Sequence, residues 1–136
     1  MIDDHPPDTI RGQSPGILRT LGFVHGQLRA LHGLSLHGYL ILGALAEAAS
    51  GSVPVAQLAA FLHESGDRMS YLLRGLQAAG LIDRHRRAAD RRTVEVTLTD
   101  AGRARFAAAE TTAQALMRRH PGPGPDTQER ADRLFR

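Results

Sequence analysis

Cysteine is absent from the 136 residues, which excludes disulfides, thiolate metal sites, cysteine nucleophiles and thiol redox sensing together. Lysine is absent as well, so all 17 Lys/Arg positions are arginine. There is no tryptophan, and aromatics reach only 4%. Ala and Leu must then fill the interior, which favours closely packed helices over a β-sandwich. The longest apolar run, "YLILGALAEAA", is interrupted by Glu47 and is too short to cross a bilayer. The opening "MIDDHPPDTI" carries three acids and no apolar stretch, unlike a secretory signal. These absences leave a single-domain, cytoplasmic protein with no membrane contact.

Net charge is only +3, yet it is unevenly placed. Residues 84–92 hold five arginines and one aspartate, while residues 1–10 carry only negative charge. A lysine-free, Arg- and Ala-rich composition is what GC-rich coding produces, and that accounts for arginine over lysine. It does not account for the position of the cluster. Such a cluster points to a polyanionic partner.

Periodicity orders the chain. Residues 1–15 are Pro- and Asp-rich and read as a disordered tail. Leu21, Val24, Leu28 and Leu31 recur at helical spacing and form a pairing seam, ended by Gly33. The stretch 36–49 is apolar nearly all round and reads as a buried central helix. "SGSVP" (50–54) breaks the chain, with Pro54 in the first turn of the next helix. Val55, Leu58, Ala59 and Leu62, then Met69, Leu72, Leu73 and Leu76, mark two short amphipathic helices. Between them "HESG" supplies Ser65 as a cap and Asp67 for the positive helix end. This pair is a helix-turn-helix.

"LIDRHR" and "RRTVEVTL" then read as two strands around the tip "RAAD", with Val94, Val96 and Leu98 alternating inward. Thr99 caps a long helix running to about Arg119, and "PGPGP" (121–125) separates a last helix near 126–135. The expected fold is mainly α with a small β-hairpin wing. A winged helix-turn-helix over 36–99 is flanked by dimerisation helices at 16–35 and 100–136.

The stretch from Leu36 to Phe106 resembles the MarR family of bacterial transcriptional regulators. The resemblance rests on "GLIDR" (80–84), on "DRR" (90–92) as the wing signature, and on "VEVTLTDAG" (94–102) as its continuation. It implies a homodimer with intertwined terminal helices, a pseudo-palindromic double-stranded DNA operator, and release by a small aromatic or hydrophobic effector. Leu21, Val24, Leu28 and Leu31 would lie at the dimer interface. The recognition helix would offer Asp67, Arg68, Ser70, Tyr71 and Arg74, with an arginine reading a guanine edge. In the wing Arg92 would enter the minor groove and Asp90 would orient it or the loop. Arg84, Arg86, Arg87 and Arg91 would grip phosphates. Relatives often have a basic residue where Tyr71 stands and an acid where Arg74 stands, so an operator cannot be borrowed from them.

Seven histidines raise a metal site, but His25 and His32 are two helical turns apart, about 10 Å along the axis. With His37 and Tyr39 they are expected instead to line an effector pocket between the dimer helices and the DNA-binding lobe. No cofactor is expected. A winged helix that meets an acidic protein instead of DNA is the alternative function. An enzyme is disfavoured, since no nucleophile elbow, phosphate loop or metal spacing is present.

Overall fold

The computed structural model describes residues 16–119. The expected N-terminal tail, the "PGPGP" hinge and the last helix lie outside these residues. Five helices and three strands follow in the order α1 (Gly16–His32), α2 (Leu36–Glu47), β1 (Ser52–Pro54), α3 (Val55–Leu62), α4 (Gly66–Ala78), β2 (Ile82–Arg86), β3 (Val94–Leu98) and α5 (Asp100–Arg119).

Each boundary has a local cause. Gly33, at φ +66°, ends α1 in the left-handed conformation that glycine adopts without steric cost. Ser35 caps α2 by accepting the Gly38 amide. Ser65 does the same for α4, accepting the Arg68 amide at 3.1 Å, and Asp67 stands in its first turn. Between α3 and α4 the chain turns at His63, a non-glycine residue in the left-handed region at φ 55°. Thr99 caps α5 through the Gly102 amide, while its hydroxyl donates to the Gly80 carbonyl.

The core confirms the apolar spacing of the helix-turn-helix. Leu58, Met69 and Leu73 are fully covered, and Leu76 is buried. Leu72 is only half-buried, at the edge of the cluster. From α2 come Ile41, Leu42 and Leu45, and Val96 enters from β3. Burying each such side chain contributes about 1.5–3 kcal/mol.

The sheet holds one element that the sequence did not suggest. The antiparallel strand order is β1-β3-β2, with Val53 opposite Val96 and Ile82 opposite Leu98. "SGSVP" reads as a breaker because the strand it holds is three residues long and buries a single apolar side chain, Val53. α2 likewise stops at Glu47, two residues before the end of its apolar pattern.

α1 packs chiefly against α5. Its apolar stripe divides along its length. Val24 and Leu28 are buried within the chain's own core and Leu21 is half-buried, whereas Ile17, Leu18 and Leu31 stay exposed. No helix among the described residues is long and apolar enough to cross a membrane.

Candidate nucleic-acid interface

The wing is a two-stranded ribbon whose tip, residues 87–93, is tied by backbone and by one carboxylate. The Arg87 amide donates to the Thr93 carbonyl at 2.8 Å and the Thr93 amide to the Asp90 carbonyl at 3.0 Å. Asp90 then accepts from the Arg92 amide and from the Thr93 hydroxyl, both at 3.1 Å. The Arg92 guanidinium stands 4.0 Å from Asp90 and is 97% exposed. Asp90 therefore shapes the loop and only loosely steers the arginine.

The other wing arginines differ in how free they are. Arg84 donates to the Gln77 side chain on α4 at 2.8 Å, joining the root of the wing to that helix. Arg86 braces the tip by donating to the Arg91 carbonyl. Arg87 points two nitrogens at Glu95, the closer at 2.6 Å, so its charge is already answered inside the chain. Among the arginines assigned to phosphates, Arg87 is thus the one the fold keeps for itself.

The Arg87 hydrogen bond holds the Glu95 carboxyl below its ordinary range. A carboxylate with a depressed folded value stabilises the fold above its unfolded value, and that contribution is lost as pH falls through the folded value. In a carbon-detected NMR titration, Glu95 should therefore titrate below 4.5, with the Arg87 side-chain signals moving alongside it.

On α4 the inward face is Met69, Leu73 and Leu76, which leaves Asp67, Arg68, Tyr71 and Arg74 exposed and Ser70 half-buried. The Arg68 guanidinium lies over the Tyr71 ring, 5.2 Å from its centroid. That stacking holds a planar donor group at the exposed face of the helix.

The four expected effector-pocket residues do not come together. His25 accepts the Leu36 amide through Nδ1 and so supports the start of α2. His32 bonds to the Thr112 hydroxyl at 2.7 Å, and His37 faces Glu64 at 3.4 Å. Each histidine has a structural partner of its own within the chain. Among the described residues no group of three or more His, Asp or Glu could hold a metal ion.

Tyr39 alone faces a cavity of about 480 Å³ between α2, α3 and α5. Its hydroxyl donates to Glu110, and its ring lies 5.4 Å from that of Phe106. Burial pushes the phenol upward, and the bond to Glu110 adds to the shift, so Tyr39 stays neutral. Phe61, Phe106, Glu47 and Glu110 also line this space. Sequence reasoning missed them because the acid that meets Tyr39 lies 71 residues downstream, with no local pattern to mark it.

A family model described as MarR family matches residues 32–93, which include the helix-turn-helix and most of the wing. Among solved structures, the chain is similar to AbsC, a MarR family transcriptional regulator from Streptomyces coelicolor. That match has a TM-score of 0.80 at 22% identity and covers 100% of this chain and 93% of that one. Sco3205 from the same organism, a MarR family transcriptional regulator solved in complex with DNA, matches with a TM-score of 0.80 at 18% identity, covering 99% and 86%. CouR from Rhodococcus jostii RHA1, solved bound to p-coumaroyl-CoA, matches with a TM-score of 0.70 at 26% identity, covering 86% and 80%. No curated protein matches the chain.

Proposed function

We propose that the chain is a MarR family transcriptional regulator that binds a pseudo-palindromic operator as a homodimer and acts as a ligand-responsive repressor, a reading supported by the family model over residues 32–93 and by the similar solved regulators. α4 enters the major groove, where Arg68, Tyr71 and Arg74 face the base edges. The wing tip carries Arg92 into the minor groove, and Arg84, Arg86 and Arg91 meet phosphates. In a two-fold dimer the two recognition helices reach successive major grooves, about 34–36 Å apart. The site of action is the cytoplasm, where the DNA lies.

The single observation that carries this reading is the tip itself. Asp90 fixes the loop backbone through the Arg92 amide and Thr93 hydroxyl while the Arg92 side chain remains almost wholly exposed. A tied loop that presents an almost wholly exposed cation, only loosely paired with Asp90, fits an anionic groove.

Self-association has its own support. α1 leaves Ile17, Leu18 and Leu31 exposed at the two ends of its apolar stripe. The middle of that stripe, Val24 and Leu28, is already covered by the chain itself. A partner would extend the same stripe at its ends.

The test is binding to the DNA that flanks the protein's own coding region, measured by gel shift between 50 and 200 mM salt. Affinity should fall by about 10³-fold or more across that range if six or more phosphates are contacted. A flat response would remove the DNA-binding reading.

A further inference from the structure

The cavity between α2, α3 and α5 has a composition that selects its occupant by charge. We propose that it binds a hydrophobic cation, an aromatic or amphipathic amine. This assignment rests on the ligand-responsive reading above and names the class of ligand.

The walls are aromatic: Tyr39 and Phe106 form a tilted pair on one side, and Phe61 stands at the mouth, 58% exposed. Val53 and Leu58 supply an apolar floor. The charged groups that line the space are Glu47 and Glu110, and no arginine or histidine is among the lining residues. The Tyr39 hydroxyl is already committed to Glu110, so it has no proton to offer an incoming carboxylate. An anionic aromatic would thus meet two carboxylates and little to receive its charge. An ammonium would meet two carboxylates and the faces of aromatic rings, both of which attract it.

The volume fits a small drug-sized ligand, since such sites span about 300–1,000 Å³. The shape is set by Gly43. A Cβ there would stand 3.1 Å from the Phe106 ring, so the missing side chain lets that ring lie against α2 and form the wall. A second groove, between α1, α2 and α4, presents Arg29, Arg68 and Arg74. Anions therefore have a different place to go.

A matched series separates the contributions of charge and shape. Isothermal titration of the full chain with 1-naphthylmethylammonium, 1-naphthalenemethanol and 1-naphthoate holds the ring constant and changes the charge. The ammonium should bind at least about tenfold more tightly than the alcohol, with the naphthoate weakest. Glu47→Gln and Glu110→Gln should each reduce the preference for ammonium, and the double variant should abolish it. Glu47 is exposed, so the Glu47→Gln variant keeps the test valid if the change at Glu110 disturbs folding. Naphthoate binding as tightly as the ammonium, no binding of any of the three, or an unchanged preference in Glu47→Gln would overturn the proposal. Because the titration uses protein without DNA, failure here leaves operator binding untouched, and failure of the gel shift leaves this result standing.

Discussion

Gly102→Ala is expected to lower the thermal midpoint by about 10 °C or more. The added methyl group would sit inside the carbonyl oxygen of Leu81 and 2.8 Å from Leu98 Cδ1. The first of these is backbone and cannot swing aside. It also accepts the Thr99 amide at 3.1 Å, so moving it disturbs the cap of α5 and the start of β2 together. Helix propensity pulls the other way, favouring alanine by about 1 kcal/mol. Overpacking of this kind costs about 3 kcal/mol or more, and the clash wins. Gly75→Ala is the matched control, because a Cβ there meets nothing within 4 Å. It should raise the midpoint slightly through propensity alone. Differential scanning calorimetry of the two variants reads both signs. If Gly102→Ala melts within 2 °C of the parent chain, the close approach of α5 to the Leu81 carbonyl is wrong.

Arg92→Ala should weaken operator binding by about 100-fold or more while leaving the melting temperature unchanged. The side chain is 97% exposed and makes one long contact with Asp90, so its removal costs the fold little. In a symmetric complex it is lost twice, and a charge-assisted contact is worth about 1.5–3 kcal/mol each time. Arg87→Ala should behave differently. Its guanidinium is already paired with Glu95, so little of its charge is available to DNA, and deleting it also frees a carboxylate near the tip. A weaker effect on affinity and a salt slope closer to that of the parent distinguish Arg87→Ala from Arg92→Ala. Operator affinity for Arg92→Ala within twofold of the parent would retire the minor-groove assignment.

What could be read from the chain beforehand follows the range of the interactions concerned. The helix-turn-helix was legible because its apolar positions recur within two turns, and Ser65 and Thr99 announce caps three residues from the amides they accept. The hairpin was legible because Val94, Val96 and Leu98 alternate beside a charged tip. β1 was not, since three residues with one buried side chain give no period, and their partners lie more than 40 positions away. The partners of the histidines were hidden for a related reason. Spacing along a helix says which face a ring occupies, but not that His32 finds Thr112 or that His25 meets the Leu36 amide. The apolar stripe of α1 shows the same limit. A period of 3.6 identifies a face that wants covering, yet whether α5 or a second chain covers each residue is a property of tertiary packing.

The shortest strand has the widest mechanical reach. Ser52–Pro54 leads directly into α3 and at the same time lies in register with Glu95–Thr97. The first helix of the helix-turn-helix and the wing are thereby joined through one sheet. Val53 also forms part of the cavity floor. Under the proposed function, a ligand that wedged that floor apart would press on the helix-turn-helix and the wing together.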